Sequence, residues 1–155
     1  MGVTMLPTTL KADFPLTDTS VKLARERLRQ FCAAQQIPIR ACDSAALIAT
    51  ELATNAVRHA QRDATRAEFT LILTLCGRKL EIAVWDYLPS PCPRLQTLAD
   101  IPLDAQSGRG LALVQSDAAG FTWSRMTSGK LVSAWIEVDT ECPEQAPLGA
   151  QPPLF

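Results

Sequence analysis

The stretch "EFTLILTLCGRKLEIAVWD", residues 68–86, decides the fold. On either side of a Gly-Arg pair, apolar residues recur at every second position: Phe69, Leu71 and Leu73, then Leu80, Ile82 and Val84. Strict alternation broken by two turn residues is the pattern of a β-hairpin with one buried face. A second hairpin is expected downstream, where "GFTWSRM" (120–126) and "KLVSAWIEV" (130–138) lie around "TSGK". Upstream, "LKADFPL" (10–16) alternates weakly and contains Pro15, which suits a short edge strand. Between that strand and the first hairpin the period changes to that of a helix. Thr17 or Asp18 can cap a first helix whose Val21, Leu23, Ala24, Leu28 and Phe31 keep helical spacing to about Gln36. Pro38 opens a second helix at its first turn, with Ala45, Ile48, Ala49, Leu52 and Ala56 on its packing face, ending near Ala60. A third helix is expected from "GRGLALVQSDAA" (108–119). The order of elements predicts an α/β sandwich: a mixed, mostly antiparallel sheet with helices on one face.

Composition sets the outer bounds. With 155 residues, 47% hydrophobic and 20% charged, the chain suits one globular domain with a sizeable core. A net charge of -1 gives no electrostatic footprint for direct nucleic-acid binding. Five cysteines without C-x-x-C spacing, beside a single histidine, argue against a zinc site and a disulfide scaffold, so reduced thiols are expected. The start "MGVTMLPTTL" lacks the pattern of a signal peptide, and Leu6 breaks the myristoylation pattern. No apolar run approaches the roughly 20 residues a membrane helix needs. A cytoplasmic location without membrane attachment is expected. Domain limits are expected at 10–139, with an extension over 1–9 and a Pro-rich, structureless tail over 140–155.

Three features can carry chemistry. In "ELATNAVRHA" (51–60), Glu51, Asn55 and His59 recur every four residues and form one slowly drifting stripe. An Asn carbonyl one turn from a Glu can supply a hard oxygen to a metal bridging nucleotide phosphates and leave the Glu free as a base. The bland alternative is a polar stripe facing water, with His59 near the helix end capping carbonyls. Asp86 stands where the strand pattern stops and a proline-studded segment, Tyr87 to Ser107, begins. A carboxylate at such a rim can accept from an exocyclic amine such as that of adenine, or simply terminate a strand. In "SGRGLALV" (107–114), two glycines flank Arg109 ahead of an apolar helical pattern. They allow close backbone approach and aim helix N-terminal amides at an anion, which Arg109 can also contact. A flexible loop before a helix is the plain reading of the same residues. Neither a P-loop nor a Rossmann turn pattern is present.

Taken together, these residues resemble the GHKL superfamily, which shares the histidine kinase-like ATPase domain. Within it they resemble most the stand-alone anti-sigma regulatory factor group of serine/threonine kinases. "ELATNAVRHA" is similar to the N box, "IAVWDYLPSPCP" to an abbreviated first glycine box, "SGRGLALV" to the second, and "TSGKLVSAWIEV" to the closing hairpin. The resemblance runs from about Leu10 to Val138, with the boxes in the family's order. It implies a Bergerat-type ATP-binding fold with ATP and Mg²⁺ as cofactors. Asn55 would hold the metal, Glu51 would activate the attacking hydroxyl, and Asp86 would receive the adenine amine. Ser107, Gly108, Arg109, Gly110 and Leu111 would wrap the phosphates, and 87–107 would form the lid. Lys130 is similar to a recurrent family lysine whose role the sequence does not specify.

The resemblance further implies transfer of the ATP γ-phosphoryl to a serine or threonine of a STAS-type anti-anti-sigma protein, with a sigma factor as a second partner and homodimerisation through the first strand and helix. "DYLPSP" departs from the Asp-x-Gly of longer-lidded relatives, which puts the shape of the adenine pocket in question. A nucleotide-bound module that sequesters a partner without turnover is therefore the alternative. A sensor histidine kinase is not expected, since nothing ahead of the ATPase region supplies a phosphorylatable histidine helix.

Overall fold

The computed structural model describes residues 5–60, 67–87, 118–126 and 129–139. Its elements are β1 (Thr8–Pro15), α1 (Asp18–Ala34), α2 (Ile39–Ala60), β2 (Glu68–Cys76), β3 (Lys79–Asp86), β4 (Gly120–Met126) and β5 (Gly129–Glu137). Each matches an element expected from the sequence within a few residues. The expected third helix, the segment 88–107 and the tail from Thr140 lie outside the described residues.

Local signals account for the boundaries. Thr17 has extended backbone angles and its side chain accepts a hydrogen bond from the Ser20 amide at 3.3 Å, so the cap is Thr17 and not Asp18. At the other end of α1, Gln36 takes a left-handed φ of 55°, and the Ile37 amide returns to the Cys32 carbonyl at 2.9 Å. That is the wrap by which helices satisfy their last carbonyls. Pro38 follows and cannot donate, but its carbonyl accepts from the Cys42 amide at 2.9 Å and starts α2. Between β2 and β3 the loop is two residues, and Gly77 supplies the φ of 59° that a tight hairpin demands at its first position.

The five strands form a sheet in the order β1-β2-β3-β5-β4, and every described pairing is antiparallel. Register lines up the apolar positions in rows across the sheet. Leu10, Leu73, Ile82 and Ala134 make one row; Ala12, Leu71, Val84 and Val132 make the next. This face carries the helices, with α2 against β2, β3 and β5, and α1 against α2 and β1. The α/β sandwich with helices on one face is thereby borne out. All of the α2 packing residues expected from the sequence are buried, as are Ala24, Leu28 and Phe31 of α1. Leu23 departs from its expected place. It is 45% exposed, because it lies about 100° around the helix from the fully buried Ala24. Among the described residues no helix is long and apolar enough to cross a membrane.

Cys32 and Cys42 are buried in the α1–α2 core, whereas Cys76 is exposed at the end of β2. Burial, reinforced by a hydrogen bond with Cys42, pushes the Cys32 thiol up to about 12. Of the described cysteines, iodoacetamide at pH 8 is therefore expected to label Cys76 in the native protein and to spare Cys32 until the chain is denatured. Peptide mass spectrometry reads the difference.

Candidate functional site

The apolar rows of the helix-facing sheet surface stop at one end of the strands. The last row runs Phe14, Phe69, Asp86, Lys130. The two phenyl rings stack with centroids 5.5 Å apart. Beside them, two charges continue the row on the same side, before Arg125 of β4. Lys130 Nζ stands 3.4 Å from Asp86 Oδ2, and the side chains are only 8% and 3% exposed. Asp86 makes a further interaction besides this one. Alternation puts both residues here: Asp86 continues Leu80, Ile82 and Val84, and Lys130 begins the series Val132, Ala134 and Ile136. Gly129 permits the pairing to close. A Cβ at that position would collide with the Asp86 backbone carbonyl and come within 3.0 Å of the Trp85 ring.

Helix α2 reaches the same end. Its start lines a cavity through Arg40, Ala41 and Ser44, opposite Ile136, Glu137 and Asp139 near the end of β5. The helix and β5 therefore run in opposite directions. At about 1.5 Å per helical residue, Asn55 lies roughly 24 Å beyond Ile39. At about 3.3 Å per strand residue, Lys130 lies roughly 20 Å back from Ile136. Helix arithmetic and strand arithmetic thus bring the Asn55 turn level with the Asp86–Lys130 row. Ser44, Ile48, Glu51 and Asn55 fall on one stripe of α2, at spacings of four, three and four. Glu51 and Asn55 are half-buried, and neither has a hydrogen-bond or ion-pair partner among the described residues. A carboxylate and a carboxamide one helical turn apart can supply hard oxygen donors to a ligand.

The fold thus brings Asp86 and Lys130 into contact and sets Glu51 and Asn55 of α2 level with them. His59 belongs to α2, but its side chain lies outside the described residues, as do Ser107, Gly108, Arg109, Gly110 and Leu111. The ion pair was not legible in advance. Alternation alone places Asp86 and Lys130 on the apolar side of their strands, yet nothing local says that β5 inserts next to β3.

The profile of the histidine kinase-like ATPase domain matches residues 14–135, a span that contains Glu51, Asn55, Asp86 and Lys130. The chain belongs to the histidine kinase-like ATPase domain family. Solved structures agree at the level of fold. This ATPase domain is similar to the structure of the RsbU and RsbW domains of Rv1364c from Mycobacterium tuberculosis, at 16% identity and a TM-score of 0.63. That match covers 84% of this chain and 32% of the other, so the ATPase domain spans about a third of that protein's length. It is also similar to a chain of the SiaB–SiaC complex from Pseudomonas aeruginosa, at 11% identity and a TM-score of 0.56, covering 83% of this chain and 89% of the other. No curated protein matches the sequence significantly. The family resemblance read in the three boxes and the closing hairpin is borne out.

A buried ion pair that loses one member leaves an uncompensated charge, at a cost of about 3–5 kcal/mol. Lys130→Met is expected to lower stability by about that amount in urea denaturation. Adding Asp86→Leu to the same chain should recover most of the loss, because the two sites share one interaction.

Proposed function

We propose that this histidine kinase-like ATPase domain binds Mg²⁺-ATP in the cleft between α2 and the β3–β5 end of the sheet, and transfers the γ-phosphoryl group to a serine or threonine of a STAS-type partner. Membership of the family implies ATP binding. The observation that carries the assignment to this cleft is the half-buried Glu51–Asn55 stripe, without partners among the described residues, level with a buried carboxylate at a strand end. The donor set suits magnesium. The ion prefers oxygen ligands and binds through one or two protein groups plus substrate phosphates. Among the described residues no three acidic, histidine or cysteine side chains cluster into a cage of their own. Asn55 would hold the ion, which would neutralise charge on the phosphates.

Glu51 would then accept the proton of the incoming hydroxyl. The acceptor oxygen bonds to the γ-phosphorus, the bond to the bridging oxygen breaks, and ADP leaves. Asp86 would receive the adenine amine, with the glycine-flanked segment 107–111 wrapping the phosphates. We place this domain at residues 10–139, in the cytoplasm, with a sigma factor as a second partner and homodimerisation through β1 and α1. That one of the two similar structures is a complex of two proteins, SiaB and SiaC, supports a protein partner over a small-molecule acceptor.

A second reading keeps the nucleotide and drops the transfer. It is favoured by Tyr87-Leu88-Pro89 directly after Asp86, where longer-lidded relatives carry a glycine. Calorimetry and a transfer assay separate the two. Asn55→Ala is expected to abolish the heat of Mg²⁺-ATP binding. Glu51→Gln is expected to retain binding and to lower transfer to a co-encoded STAS-type protein by about 10²–10⁴-fold. Partner binding without transfer, equal in wild type and Glu51→Gln, would establish the sequestering module instead.

A further inference from the structure

We infer that Lys130 reads the nucleobase, as a hydrogen-bond donor to the ring nitrogen next to the amine that Asp86 receives, and so selects adenine over guanine. The inference rests on the proposed adenine site and adds to it a second recognition group. Lys130 Nζ and Asp86 Oδ2 form a donor and an acceptor 3.4 Å apart, on facing positions of adjacent strands. They are embedded at the edge of an apolar surface, next to the fully buried Phe69 and the buried Val84 and Val132. In such surroundings water does not readily replace a missing partner, so a mismatched hydrogen bond is felt in full.

An ammonium carries three N–H donors. Among the described residues Asp86 is the partner of Lys130, so donating to a ligand does not require leaving the carboxylate. The adenine edge presents an amine donor beside an unprotonated N1 acceptor. An acceptor and a cationic donor side by side match that edge. With the amine position facing Asp86, guanine would turn its O6 toward the carboxylate and its N1–H toward the ammonium. Both contacts would be mismatched. The Glu51–Asn55 stripe, by contrast, would meet phosphate and metal and carry no information about the base.

The test is a calorimetric series on the full chain with Mg²⁺ complexes of ATP, 1-deaza-ATP (N1 replaced by C–H), purine riboside triphosphate (no amine) and GTP. Wild type is expected to bind 1-deaza-ATP about tenfold or more weakly than ATP, and GTP more weakly still. In Lys130→Met, ATP and 1-deaza-ATP should bind equally, while the penalty for the missing amine persists. A lysine with only a structural role would weaken both nucleotides in parallel and keep their ratio. Equal wild-type affinities for ATP and 1-deaza-ATP, with the amine penalty intact, would overturn the role of Lys130 and leave the adenine site standing. Absence of any ATP binding, or of the amine penalty, would overturn the adenine site itself. Should Lys130→Met fail to fold, the wild-type series alone decides, because it compares ligands on one protein.

Discussion

A lysine and an aspartate face each other across β3 and β5, on the helix-covered side of the sheet, where Leu80, Ile82 and Val84 of β3 meet Ile136, Ala134 and Val132 of β5. The whole arrangement depends on that register. Burying two charges carries a desolvation penalty that mutual attraction offsets only when the partners are held close. Gly129 allows the strands to meet at this row, and the antiparallel ladder fixes which residues oppose one another. Apolar replacements of similar volume are often neutral or stabilising at such pairs, so stability alone gives little reason for charges here. Placed at the end of the core, level with Glu51 and Asn55, the pair instead sets two charges at the edge of an apolar surface.

The remaining elements serve to hold that row and the α2 residues level with it. Helix α2 follows α1 closely because the left-handed Gln36 turns the chain and the Pro38 carbonyl starts the next helix at once. Its small residues, Ala45, Ala49, Ala53 and Ala56, let it lie close on the strands. Beside that packing face Glu51 and Asn55, one turn apart, stay half-buried. The histidine kinase-like ATPase family supplies the class of chemistry, whereas the particular residues supply its limits. Helix α2 carries Glu51 and Asn55, β3 carries Asp86 and β5 carries Lys130.

Much of this was legible in the chain itself. Alternation of Phe69, Leu71 and Leu73 against Leu80, Ile82 and Val84 is a local property, and so is the Gly77 turn. Thr17 caps α1 because a hydroxyl one residue before the helix satisfies a free amide, which can be read from neighbours in sequence. Leu23 shows where local reading fails. An apolar residue within helical spacing can still point outward, and its neighbours alone do not say which side the sheet will occupy. Strand order fails for a stronger reason. β5 lies between β3 and β4, a placement set by packing across more than forty residues of sequence. The Glu51–Asn55 spacing was therefore visible as a stripe, whereas the Asp86–Lys130 contact required the folded sheet.

The central claim is that one end of the molecule, and not the other, receives the nucleotide. The most direct measurement is a titration of the ¹⁵N-labelled protein with Mg²⁺-ATP, following backbone amide shifts by NMR. The account predicts that the largest changes cluster at Glu51, Asn55, Asp86 and Lys130. Changes concentrated instead around Arg40, Ser44, Ala119 and Asp139, at the cavity by the start of α2, would contradict it.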